Sequence, residues 1–237
     1  MNVAVIPARG GSKRIPRKNI KPVGGRPMLA WPIRAALASG CFERVVVSTD
    51  DEEIAELACA NGAEVPFLRP AALADDFATT TVVMAHAVQW LVDTGTHADN
   101  ICCLYPTALF VQPADLQHGL ALLASGNCDF VFTATSYAFP IARAFRLLPG
   151  NHVEMFAPQH LETRSQDLEE AFHDAAQFYW GTRTAWLERK PIFSAHSVAL
   201  VLPRFRVQDI DTPEDLVRAE WMFNQINDTP ELLSRDF

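Results

Sequence analysis

The chain has 237 residues, about half of them apolar and a fifth charged, with a formal net charge of −8. That is the make-up of a globular domain with one sizeable core, and the acidic balance argues against nucleic acid as a bulk partner. No apolar run is long enough to span a bilayer, and Met1–Pro7 lacks the flanking basic region and cleavage site of a signal peptide. The five cysteines have no metal-like or redox-like spacing. They read as buried small hydrophobes of a cytoplasmic protein.

The first apolar, β-branched run, Val3–Ile6, predicts a buried strand. The segment after it is cationic. No Asp or Glu occurs before Glu43, whereas Arg9, Lys13, Arg14, Arg17, Lys18, Lys21 and Arg26 all do. A cationic segment on an anionic chain suits a small, highly charged anion, with a solvated basic face as the alternative. In Ala8-Arg9-Gly10-Gly11-Ser12 the two glycines lack Cβ atoms, so consecutive N–H groups can approach a phosphate. Lys13 and Lys18 add point charges, Arg9 adds a forked donor, and Asn19 closes the string. The spacing is not that of a Walker loop.

A helix is predicted over about Met28–Ser39, starting near Leu29 so that Pro32 falls in its first turn. Strands follow at Val45–Ser48, Ile101–Tyr105 and Phe130–Thr133, interleaved with helices at Asp51–Asn61, Thr80–Thr94 and Ala114–Ser125. This α/β alternation predicts an open, doubly wound, mostly parallel sheet with ligands at the carboxyl ends of its strands. The whole chain, 1–237, reads as one domain with an inserted flap at about 137–179. In that flap, strands at Phe139–Leu148 and Val153–Phe156 flank the turn Pro149–Gly150, and a polar piece, His160–Asp174, follows. Strands return at Gln177–Trp180, Val198–Leu202 and Arg206–Val207, before a last helix opened by Thr212-Pro213-Glu214-Asp215.

Asp209 and Asp211 lie two positions apart on an extended segment, so both carboxylates point the same way. Two hard oxygen ligands beside phosphates suit Mg²⁺; the alternative is that Asp211 helps cap the final helix.

The string Pro7-Ala8-Arg9-Gly10-Gly11-Ser12-Lys13-Arg14-Ile15-Pro16-Arg17-Lys18-Asn19 closely resembles the opening motif of the CMP-sialic acid synthetase family. Arg69-Pro70 with Leu73-Ala74, Tyr105-Pro106-Thr107, and Asp209-Ile210-Asp211-Thr212-Pro213-Glu214-Asp215 resemble its later motifs in the same order. Phe139-Pro140-Ile141-Ala142-Arg143-Ala144, Glu162–Asp167 and His173–Gly181 look like the branch that activates pseudaminic acid. Leu109-Phe110 and Trp31-Pro32 depart from the family pattern without removing a polar site residue. The resemblance implies a Rossmann-like nucleotidyltransferase fold and transfer of CMP from CTP to the C2 hydroxyl of a nonulosonic acid. It implies Mg²⁺ on Asp209 and Asp211, and a homodimer joined through the flap. Arg9, Lys13, Lys18 and Asp211 are the candidate catalytic residues. Ala8, Arg9, Gly10, Gly11, Ser12, Lys13, Lys18, Asn19, Arg69 and Thr80 are candidates for the nucleotide, and Tyr105, Arg143, Arg164, Gln177 and Tyr179 for the sugar acid. Thr80 reads equally as a helix cap, Arg69 as a surface arginine, and Arg164 as a partner of Glu169 or Glu170. His173 reads as a structural hydrogen-bonder or a base. CMP-legionaminate or CMP-sialate synthesis, another nucleotidyltransferase on the same fold, and a non-catalytic nucleotide-binding protein remain as alternatives.

Overall fold

A computed structural model of the chain describes residues 1–75 and 77–229. The chain opens with β1 (Asn2–Pro7), runs through the cationic loop, and makes a small hairpin from β2 (Pro22–Val23) and β3 (Arg26–Pro27). Then come α1 (Ala30–Ser39), β4 (Arg44–Ser48), α2 (Glu52–Ala60), α3 (Thr80–Asp93), β5 (Asn100–Leu104), α4 (Pro113–Ala124) and β6 (Phe130–Ser136). The insert carries β7 (Phe145–Leu147) and β8 (Val153–Met155). The chain closes with β9 (Phe172–Thr182), α5 (Arg183–Leu187), β10 (Ser197–Val201) and α6 (Pro213–Asp228).

The main sheet has six strands in the order β10-β6-β9-β5-β1-β4. β4, β1 and β5 pair in parallel, as do β10 and β6, while β9 runs antiparallel between β5 and β6. The strand order reverses at β1, so the carboxyl ends of β1, β4 and β5 open onto one crevice.

Strand periodicity sorts the core into two layers. Ala4, Ile6, Val45, Val47, Cys102, Leu104 and Trp180 face α1, α2 and α4, whereas Val3, Val5, Val46, Ile101, Cys103 and Tyr179 face α3 and α5. Adjacent Cys102 and Cys103 thus enter opposite layers, both fully buried, and burial pushes both thiols up. Each large apolar side chain so buried contributes about 1.5–3 kcal/mol. The indoles of Trp180 and Trp186 donate to the carbonyls of Leu116 and Ile101, at 3.1 and 3.0 Å. Gly181 lies between them, where a Cβ would sit 2.6 Å from both the Phe130 ring and the Trp186 indole.

A third apolar cluster positions the site. Leu216, Ala219 and Phe223 of α6 pack on Ile15 of the cationic loop, Val23, Met28 and Ile210. This contact brings the segment before α6 onto the loop that follows β1.

Three expectations change. β9 starts at Phe172, inside the segment expected as flap, because His173 and Asp174 pair with Thr135 and Ala134 in the sheet. The insert therefore runs from Tyr137 to Ala171, and its first strand is limited to Phe145–Leu147 behind a 3-10 turn at Ile141–Arg143. Arg206–Val207 is not a strand. Arg204–Arg206 forms a 3-10 turn fixed by Arg206 Nη1 to Asp115 Oδ2 at 2.7 Å. As expected, α1 begins right after Leu29, with Pro32 as its third residue.

Candidate active site

Pro7 ends β1, and the loop behind it bends back over the sheet edge to form one wall of an open cleft of about 620 Å³. Arg9, Ser12, Lys13, Arg14, Lys18 and Asn19 line that wall, facing Arg69, Thr80, Tyr105 and Thr107, with Asp209 and Asp211 at one end. Residues separated by up to two hundred positions thus share one concavity at the carboxyl ends of β1, β4 and β5. Gathered cations of this density favour a polyanion, and the neighbouring carboxylates favour a divalent cation with it.

Local geometry explains the loop. The Gly10 N–H donates to Asp50 Oδ1 at 3.0 Å, and a Cβ on Gly10 would lie 2.6 Å from Asp51 Oδ2. The glycine is therefore required by the close approach of the loop to the end of β4. Ala8 is buried, with its N–H on the Ser48 carbonyl, and supports the loop from below. Asn19 Nδ2 donates to the Arg9 carbonyl at 2.9 Å and ties the two ends of the loop together. Arg9 donates to the Asp75 carbonyl at 2.9 Å across the cleft mouth.

Lys18 reaches the opposite wall, where Nζ donates to the Ile210 carbonyl at 2.5 Å and lies 3.3 Å from Asp211 Oδ1. Arg14 Nη2, which sequence reasoning did not single out, is 2.8 Å from the same oxygen. Asp209 and Asp211 are one residue apart, as the extended segment predicts. Burial, then the charge of Asp211, hold the Asp209 carboxyl above the usual carboxylate range, even though it reaches solvent at the cleft wall. The capping alternative for Asp211 is taken by others: Thr212 accepts from the Asp215 N–H at 3.2 Å, and Asp215 accepts from the Thr212 N–H at 2.8 Å. The Asp211 carboxylate is left to face the cations.

Arg69 is only 6 % exposed, not a surface residue. Its guanidinium donates to the Ser48 hydroxyl at 3.2 Å and to the Ser48 carbonyl, and burial lowers its pKa from the ordinary value. On α3, Thr79 provides the cap, leaving Thr80 to hydrogen-bond the Tyr105 hydroxyl at 3.0 Å. Burial pushes Tyr105 up to about 12.

The sugar-acid candidates divide. Tyr105 lines the cleft. Tyr179 is buried beneath it, and its hydroxyl donates to Asp174 Oδ2 at 2.5 Å. That contact depends on a bulge in β9, where Ala176 adopts φ 51° and its N–H donates to Asp174 Oδ1 at 2.9 Å. Gln177 is also buried, with its amide donating to the Arg206 carbonyl at 2.6 Å. Arg143 and Arg164 belong to the insert and line neither this cleft nor its neighbour. Arg143 donates to the Thr163 carbonyl, and Arg164 pairs at 2.8 Å with Asp167 rather than with Glu169 or Glu170.

A second cleft of about 500 Å³ adjoins the first and shares Asp209 and Asp211 with it; Thr135, His173, Asp174, Arg204, Gln208 and Arg218 also line it. His173 donates through Nδ1–H to the Asp174 carbonyl at 2.9 Å, and its ring lies 4.8 Å from that of Tyr137. Asp50, Asp174 and Thr107 complete the set that sequence reasoning missed. Asp50, two residues past the end of β4, was legible only as part of a loop on the binding edge.

A family model described as cytidylyltransferase matches residues 3–223. A pseudaminic acid cytidylyltransferase of Campylobacter jejuni is 46 % identical over 222 residues, covering 94 % of this chain and 96 % of that protein. A CMP-N,N'-diacetyllegionaminic acid synthase of Legionella pneumophila is 33 % identical over 223 residues, 92 % of this chain and 94 % of that one. Among solved structures, a CMP:2-keto-3-deoxy-manno-octonic acid synthetase complexed with CTP aligns with a TM-score of 0.69, covering 94 % of this chain and 98 % of that one. At 16 % identity it establishes the fold alone. With the family model matching residues 3–223 and relatives at 46 % and 33 % identity over nearly the whole chain, the chain belongs to the cytidylyltransferase family.

Proposed function

We propose that this enzyme transfers CMP from CTP to the anomeric C2 hydroxyl of pseudaminic acid, releasing pyrophosphate. The observation that carries the chemistry is the cleft itself, where Lys18 and Arg14 of a glycine-rich cationic loop meet Asp211 of the Asp209–Asp211 pair. The 46 % identity to a pseudaminic acid cytidylyltransferase supports the choice of acceptor. CMP-legionaminate synthesis is the second reading, supported by the 33 % identity to that synthase.

In this reading the triphosphate lies along the cationic wall. The C2 hydroxyl oxygen bonds to the α-phosphorus, releasing its proton to solvent, as the bond to the departing pyrophosphate breaks. Negative charge then grows on the leaving group, beside Arg9, Lys13, Lys18 and Arg69, which hold it without reorganising. Asp209 and Asp211 fit Mg²⁺. They offer hard oxygens at one end of the cleft, beside the cationic loop. A bound Mg²⁺ supplies Lewis-acid polarisation of the phosphoryl oxygens.

We further propose a homodimer in which the insert of a second copy brings Arg143 and Arg164 to the acceptor. The insert exposes Phe139, Phe145, Leu147, Val153, Phe156 and Leu161, and Phe139 is 82 % exposed. The double variant Phe145→Asp, Phe156→Asp is expected to sediment as a monomer and to use the sugar acid poorly. A wild-type monomer in sedimentation velocity refutes this arrangement. We place the reaction in the cytoplasm, which supplies CTP and keeps five free cysteines reduced.

Mass spectrometry of products from CTP, UTP, GTP and ATP with pseudaminic, legionaminic and sialic acids tests the main reading. CMP-pseudaminic acid is expected to dominate. A clear preference for UTP, or binding of CTP with no CMP-sugar under any Mg²⁺ condition, overturns it.

A further inference from the structure

We propose that Arg17 is a positioning residue for the triphosphate: it latches the cationic loop onto the start of α2 and so sets where Lys18 and Asn19 stand. Arg17 adopts φ 57° and ψ 32°, the left-handed region where glycine is the usual occupant. A non-glycine residue persists there only where its surroundings hold it. Here the side chain does the holding. The Arg17 guanidinium donates through Nη1 to Asp51 Oδ2, through Nη2 to Asp51 Oδ1 at 3.1 Å, and also to Glu53. The fork is bidentate on one carboxylate, the geometry that makes an exposed arginine pair more than a loose surface contact.

Asp51 is itself held. Its side chain accepts the Ile54 N–H at 3.0 Å as the cap of α2. It also packs against Gly10, while its neighbour Asp50 takes the Gly10 N–H. Two successive carboxylates at the end of β4 thus grip the loop at both of its ends, Gly10 and Arg17.

The left-handed turn at Arg17 has a direct consequence. It reverses the chain into the 3-10 turn Lys18–Ile20, from which Lys18 reaches Ile210 and Asp211 while Asn19 reaches back to Arg9. Arg17 is absent from the residues lining the cleft. It acts on the nucleotide only through the residues it places. The inference rests on the loop being the seat of the triphosphate, as proposed above.

The test is a double-mutant cycle. Arg17→Gly keeps the left-handed backbone at ease and removes the latch, and Asp51→Asn keeps the α2 cap and removes the charge. Each is expected to raise the KM for CTP about fivefold to tenfold, with the sugar-acid KM unchanged and the melting temperature preserved. The double variant is expected to match either single variant, and Arg17→Lys to recover part of the loss. An unchanged CTP KM in Arg17→Gly, effects that simply add, or a loss of thermal stability that accounts for the KM change overturns the proposal. Lys18→Ala separates the two readings. If it weakens CTP use while Arg17→Gly does not, the latch fails but the phosphate seat stands; if neither matters, the seat itself is wrong.

Discussion

Lys18→Ala is expected to lower kcat by about two to three orders of magnitude, the loss that follows removal of one preorganised donor to a developing oxyanion. The lysine bridges the two walls of the cleft, with Nζ on the Ile210 carbonyl and near Asp211. Its removal deletes a cation from the triphosphate and leaves the Asp209–Asp211 pair with one neighbour fewer to balance it. Arg14 still touches Asp211, so the segment keeps an anchor and the protein is expected to fold. Lys18→Arg restores the charge but not the shape. A planar fork cannot reproduce a single short contact to a carbonyl, so rescue is expected to be small. Pyrophosphate release under saturating CTP and sugar acid, beside a circular dichroism spectrum, checks both variants. Wild-type kcat in folded Lys18→Ala would falsify the assignment.

Asp211→Ala is expected to reduce turnover at least as far and to flatten its dependence on Mg²⁺ concentration. Asp211 and Asp209 present the cleft with a pair of hard anionic oxygen donors, and burial, then the charge of Asp211, raises the Asp209 carboxyl. Removing Asp211 takes away the second cause that holds the Asp209 carboxyl up, while burial, the larger, stays in place. It also frees Arg14 and Lys18 from a shared partner, so CTP can still bind. The expected signature is therefore a near-complete loss of kcat with a modest change in CTP affinity. Asp215→Ala is the matched comparison, because Asp215 caps α6 and accepts from the Thr212 N–H. It is expected to lower stability by about 0.5–2 kcal/mol while keeping Mg²⁺ dependence. Full Mg²⁺-dependent activity in Asp211→Ala removes the metal assignment.

How much of this was legible depends on whether the determining interaction is local. The strands β1, β4, β5 and β6 were readable because buried parallel strands are short apolar runs set between amphipathic helices. The cap of α6 was readable because Thr212, Pro213 and Asp215 act within one turn. β9 was harder. Its first residues, Phe172-His173-Asp174, are polar enough to read as flap and become strand only because β6 lies alongside to pair with them. Arg206 looked like strand but its guanidinium is claimed by Asp115, ninety-one residues away. Gln177 and Tyr179 were read as facing the sugar. The bulge at Ala176, which no propensity announces, turns Asp174 toward Tyr179 and buries both candidates.

The sequence by itself determined the class of the domain, the cationic glycine loop, the carboxylate pair and the family. Each is written in contiguous residues whose spacing or charge carries its own meaning. Only the tertiary structure decided how these parts meet. It set Lys18 and Arg14 against Asp211, buried Arg69 on Ser48, and seated the loop on Asp50 and Asp51. Those contacts join residues far apart in the chain. They exist only because the packing of α6 on Ile15 and the switch in strand order at β1 bring four distant segments to one edge of the sheet.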